Sequence, residues 1–116
     1  MSVGYWIVAG VTAFAFVGTG LLKLTTSRSK LLASKNGGWV SGFTEPQVKL
    51  IGLAEVLGAA GLILPPAVGT AKWLRVPAAI GLLVLMLGAA NTHRTRKESP
   101  ALPLVLGILA VVTIFL

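Results

Sequence analysis

From Val3 to Leu22 the chain carries no charged side chain. Three more stretches repeat the pattern: Leu50 to Leu64, broken once by Glu55, then Val76 to Thr92, and Ser99 to Leu116. Roughly twenty residues of helix cross a hydrocarbon core about 30 Å thick. The first stretch meets that length unaided. The second meets it with Val48, Lys49 and Pro65 at its edges and Lys49 snorkelling. The third does so with Trp73 and Leu74 at its start and Arg75 snorkelling. The fourth is short, and Pro100 and Pro103 suit its first turn, where a missing N–H costs nothing. Strands are excluded, because the runs are too continuous to alternate and a four-stranded barrel cannot close around a packed interior. The expected architecture is all-α, a four-transmembrane-helix bundle forming a single domain over residues 1–116, with spans near 3–24, 48–65, 73–92 and 100–116.

Composition removes the alternatives. Only 11% of residues are charged and 55% are hydrophobic, whereas a soluble domain carries roughly a quarter charged residues. The net charge of +7 does not indicate nucleic-acid binding, since the basic residues punctuate apolar runs rather than cluster on one face. The absence of cysteine excludes disulfides, CxxC redox chemistry, cysteine-held iron–sulfur clusters and thiolate zinc. A single histidine makes no conventional zinc site, so no metal is expected. His93 and Met86 lie on one helix and cannot sandwich a haem iron. There is no Asp for a Ser/His/Asp triad, and no Gly-rich phosphate loop opens a helix after a strand. The first stretch reads as an uncleaved span, because Lys23 follows it and no basic residue precedes it.

Orientation follows from the basic residues. Lys23, Arg28, Lys30, Lys35 and Lys49 belong to the first loop and its edges, and Arg94, Arg96 and Lys97 to the third, against Lys72 and Arg75 for the second. This predicts a multi-pass plasma-membrane protein with loops 25–47 and 93–99 cytoplasmic and both termini outside. Tyr5, Trp6 and Trp73 then mark the outer interface, Trp39 and Phe43 the inner one. Within the first loop, Arg28–Lys35 reads as a short interfacial helix and Asn36-Gly37-Gly38 as a turn. A basic loop of this kind also holds a chain against anionic lipid. Gly52, Ala54, Gly58, Ala59, Ala60 and Gly61, with Gly81, Gly88, Ala89 and Ala90, let backbones approach closely, which makes the second and third spans the expected inner pair. Small faces on so small a chain also suggest a homo-oligomer.

Ionisable groups inside spans are costly, and each is a candidate functional residue. Glu55 sits well inside the second span. Lys23 lies about a turn inside the first, and Asn91 and His93 close the third, at the same end of the bundle. These four form the candidate polar pocket, with no catalytic role or cofactor assigned. Each also has a plainer reading: a snorkelling anchor for Lys23, Lys49 and Arg94, a cap or interhelical contact for Asn91, an interfacial histidine for His93. For Glu55 it is a packing ion pair, with Lys23 the nearest partner of opposite sign.

Gly20-Leu21-Leu22-Lys23-Leu24, the run from Lys49 through Glu55 to Pro65, Ala78-Ala79-Ile80-Gly81-Leu82, Met86-Leu87-Gly88-Ala89-Ala90 and His93-Arg94 before Glu98 together resemble the DoxX-like family of small bacterial four-helix membrane proteins. The resemblance implies a four-helix bundle, with the family's recurring Lys, Glu and His falling on Lys23, Glu55 and His93. It departs at the end, where relatives carry a polar or basic tail and this sequence stays apolar to Leu116. It also implies links to quinone-associated sulfur oxidation, redox-stress complexes or chaperoning of membrane proteins. The leading functional expectation is an accessory protein that binds a lipophilic molecule, a quinone or lipid, or a membrane protein partner. An acid–base enzyme acting on a lipophilic substrate and a small proton-coupled carrier are the alternatives.

Overall fold

The protein is seen in a computed structural model that describes residues 1–34 and 37–116. Lys35 and Asn36, which carry the end of the expected loop helix and the start of the Asn-Gly-Gly turn, lie outside the described residues. Four long helices correspond to the four apolar stretches: α1 (Val3–Thr25), α3 (Glu45–Val68), α4 (Arg75–Thr95) and α5 (Ala101–Phe115). A short α2 (Arg28–Ala33) and a 3₁₀ turn (Gly38–Gly42) fill the first loop. The described residues contain no strand. α1, α3 and α4 are long and apolar enough to cross a membrane, and α5 is a shorter apolar helix. The longest dimension, 41 Å, approaches the thickness of a bilayer with its headgroups.

Local chemistry sets the helix ends. Ser2 caps α1 by accepting from the Tyr5 N–H, and Thr44 and Gln47 form a reciprocal capping box on α3. Gly69 ends α3 with φ 73°, a conformation that suits glycine. Pro100 and Pro103 do fall at the start of α5. At the far end of that helix, the Arg75 guanidinium donates to the carbonyls of Thr113 and Ile114. The Lys49 ammonium likewise donates to the carbonyls of Lys23 and Thr26, at the end of α1. Rather than simply snorkelling, each of these cations satisfies a helix C-terminus that would otherwise leave carbonyls without partners.

The helices pack in a ring, α1 beside α3, α3 beside α4, α4 beside α5 and α5 back to α1, which leaves α1 and α4 across the diagonal. The most extensive contact joins the first and second spans, not the second and third. Gly20 and Gly52 explain this. A Cβ on Gly20 would come within 2.7 Å of the Gly52 carbonyl oxygen, and one on Gly52 within 2.8 Å of the Gly20 oxygen. Only hydrogen atoms fit between these backbones. The expected second–third contact also exists, with Leu82 against Gly58 and Ala78 against Gly61, but Gly81 and Gly88 face open space. Small residues such as Ala9, Ala59, Ala79 and Ala110 fill much of the interior, while Ile7, Phe14, Leu57 and Ile108 project outward. Without a hydrophobic drive between helices in lipid, close packing of small residues is what holds them together.

One polar contact in the interior follows directly from covalent structure. The sequence places the end of this span near Pro65, yet α3 continues through Pro65 and Pro66 to Val68. Pro66 has no N–H to give the Leu62 carbonyl. The Tyr5 hydroxyl supplies the missing donor at 2.6 Å. Tyr5 is therefore fully buried rather than an interfacial anchor, and the exposed aromatic residues of that end are Trp6, Trp73 and Phe115. Tyr5→Phe should lower stability by roughly 1 kcal/mol, in line with hydrogen bonds measured in membrane proteins. The loss should shrink in a Pro66→Ala background, where the helix provides its own N–H. A double-mutant cycle on unfolding of the detergent-solubilised protein measures this, and equal losses in both backgrounds would refute it.

Candidate functional site

Two residues of the expected polar set meet. Lys23 Nζ donates to Glu55 Oε1 at 2.6 Å, and the pair bridges α1 and α3 one turn from the Gly20–Gly52 crossing. Glu55 is 1% exposed, whereas the Lys23 side chain keeps 15% of its surface open. The second carboxylate oxygen is also occupied: the Thr19 hydroxyl donates to Glu55 Oε2 at 2.5 Å. Thr19 and Lys23 lie four residues apart on α1 and so share a face. Thr12 and Thr113, which are buried where Thr19 is only partly so, instead donate to carbonyls of their own helices and take no part.

Asn91 and His93 stand apart from this unit. The buried stripe of α4 runs Ala79, Leu82, Met86, Ala90. Asn91, the next residue, is therefore turned outward and is exposed. His93 Nδ1 lies 3.2 Å from Glu98 Oε1, because the turn after α4 brings Glu98 back to accept that contact. Sharing an end of the bundle does not bring these groups together, since α4 lies diagonally opposite α1. The four-residue pocket expected from depth alone is thus a Thr19–Lys23–Glu55 unit plus a separate His93–Glu98 pair. The Glu, Lys and His groups of an acid–base set are not assembled at one point.

The first loop supplies a further neighbour. The Trp39 ring centroid lies 5.4 Å from Lys23 Nζ, a cation–π distance. Trp39 stacks edge-on against Phe43, and both pack on a small loop core of Leu31, Val40 and Val48. Of the expected loop helix, residues 28–33 form α2 and Ser34 already ends it as an extended cap; α2 contributes Leu31 to this core. Lys23 has three N–H donors. Among the described residues one is spent on Glu55, and the Trp39 face is an electrostatic neighbour rather than an acceptor. The unit therefore presents donor capacity at the edge of an apolar bundle while its carboxylate is locked from behind. Two shallow apolar grooves lie elsewhere, one between α3 and α4 floored by Gly58 and Gly81, the other between α4 and α5 beside Met86 and Gly107.

Thr19 and Trp39 are absent from the site residues expected from sequence. The spacing of Thr19 before Lys23 is a usable signal; the return of Trp39 over α1 is not visible in the sequence.

A model of the DoxX-like family matches residues 7–115. The chain belongs to the DoxX-like family. The match takes in Thr19, Lys23, Trp39 and Glu55, together with α3, α4, α5 and all but the first residues of α1. With its apolar spans, this DoxX-like protein is an integral membrane protein. No curated protein and no solved structure matches the chain.

Proposed function

We propose that this DoxX-like protein is an accessory membrane protein whose Thr19–Lys23–Glu55 unit receives the polar end of a lipophilic molecule, a quinone or a lipid, while the apolar part lies against the bundle. The observation that carries the reading is a carboxylate 1% exposed within an apolar span, neutralised by a lysine that still reaches the surface. Burying such a pair gains little stability over apolar packing. Its position gives it a use: Lys23 offers N–H donors to an acceptor oxygen at the depth where carbonyl or phosphate headgroups lie. Arg96 donates to Ser41, so the first and third loops share one end of the bundle. The basic residues of those loops favour the cytoplasmic side of a plasma membrane for that end.

Native mass spectrometry after mild extraction tests the proposal. The wild type should release a bound lipophilic molecule, and the Lys23→Met/Glu55→Gln double variant should be extracted without it. A double variant that keeps the same molecule refutes the assignment of the site. A stoichiometric second chain in place of a small molecule would mean that the accessory role works through a membrane protein partner, and a second copy that it works as a homo-oligomer.

A further inference from the structure

We propose that Trp39 is a gate on the Lys23–Glu55 pair, latched from the third loop by Arg96, and that an incoming headgroup must displace the indole to reach Lys23. The inference rests on the proposed binding role of that pair and adds how access to it is controlled.

The indole lies beside the ammonium at 5.4 Å and is only half-buried itself. It therefore occupies the approach to Lys23 without being locked into the bundle core. The segment that carries it, Gly38–Phe43, is held by side chains from elsewhere. Arg28 Nε donates to the Phe43 carbonyl at 2.7 Å, fastening the segment to α2. From the other side, Arg96 Nη1 donates to Ser41 Oγ at 3.1 Å. The same guanidinium lies against Gly38, so close that a Cβ there would fall 2.5 Å from Nη2. Arg96 is in turn steadied by Glu98 at 3.3 Å. One arginine from the α4–α5 turn thus touches both ends of the 3₁₀ turn that carries Trp39.

The energetics suit a gate. Exposed, charge-assisted contacts of this kind are weak and reversible. A cation–π contact leaves the ammonium's donors unused, so a ligand oxygen that hydrogen-bonds Lys23 replaces it with a stronger interaction. The ligand class that fits carries an acceptor oxygen, carbonyl or phosphate, at the end of an apolar body.

The test is the rate at which a water-soluble amine reagent modifies Lys23, relative to the exposed Lys30 at the same end of the bundle as internal reference, in protein reconstituted without added ligand. In the wild type Lys23 should react slowly. Arg96→Gln should raise the ratio roughly three- to five-fold, the upper range for the loss of one exposed charge-assisted contact, and Trp39→Ala should raise it further. Ser41→Ala provides a milder opening that leaves every charge in place. Trp39→Ala should also increase the amount of molecule retained on native extraction. An unchanged ratio in Trp39→Ala, with normal thermal unfolding, overturns the gate. A rise in Trp39→Ala but not in Arg96→Gln or Ser41→Ala overturns the latch. Because the rates are read without ligand, failure of the binding role shows itself separately, as wild-type protein that releases nothing.

Discussion

Lys23→Met lowers the stability of the folded protein by about 2 kcal/mol or more, Glu55→Gln by less, and the double substitution recovers part of the loss. Removing one partner of a buried pair in soluble proteins costs about 3–5 kcal/mol. Polar contacts in membranes average nearer to 0.6 kcal/mol, because the unfolded chain in the bilayer finds other partners; the expected figure lies between. The asymmetry comes from burial. Without Lys23, the 1%-exposed carboxylate keeps only the Thr19 hydroxyl as a partner in apolar surroundings. Without the carboxylate, Lys23 still has an exposed edge and swings toward the headgroups, while the amide carbonyl of Glu55→Gln still accepts from Thr19. Unfolding of the four proteins of this cycle gives the coupling, and simple additivity would refute a joint unit. A double variant that regains stability yet retains no lipophilic molecule marks the pair as the binding site. One that regains both marks it as packing alone.

How far the sequence reveals this site depends on the kind of information required. Apolar run length marks the four helices, because the bilayer sets a length that α1, α3 and α4 meet and the shorter, equally apolar α5 approaches. The choice of Lys23 as partner for Glu55 is also legible: opposite charges at one depth in neighbouring spans have few other solutions. Asn91 and His93 show where that logic stops. Depth is a one-dimensional property, and contact also needs the rotation of α4 and the order of helices around the ring. Asn91 differs from buried Ala90 by one residue, about 100° of rotation, and no apolar pattern strong enough to set that angle exists in a helix that is apolar on every side. The same uniformity hides the packing of the spans. Gly58 and Gly81 look alike in the sequence, but the first receives Leu82 and the second faces open space. Tyr5 departs from its expected interfacial place for another reason. Its partner is a carbonyl freed by Pro66, and linking the two requires that the helix continue through a proline pair rather than stop there.

The sharpest consequence of the packing is a difference in sign between substitutions that a helix propensity scale treats as equal. Glycine to alanine inside a helix gains up to about 1 kcal/mol from reduced backbone freedom in the unfolded chain, provided the methyl group has room. Gly18 and Gly88 have room, with nothing within 4 Å of where the methyl carbon would stand, so Gly18→Ala and Gly88→Ala should be neutral or stabilising. At Gly52 the methyl carbon would fall 2.8 Å from both the Gly20 carbonyl oxygen and Lys23 Cβ. Backbone cannot yield as a side-chain tip does, so α1 and α3 must part, at a cost of about 1–3 kcal/mol for overpacking. The displacement falls on the very residue that holds Glu55. Moving Lys23 Cβ away stretches a 2.6 Å contact, so part of the penalty is electrostatic and should fall when the pair is already absent. Gly52→Ala should therefore destabilise the wild type more than it destabilises the Lys23→Met/Glu55→Gln variant, and in the wild type it should also speed amine modification of Lys23. If Gly52→Ala proves as harmless as Gly88→Ala, the helices do not cross in backbone contact at Gly20 and Gly52. If its cost is the same in both backgrounds, the crossing sets the distance between the helices but does not position the ion pair.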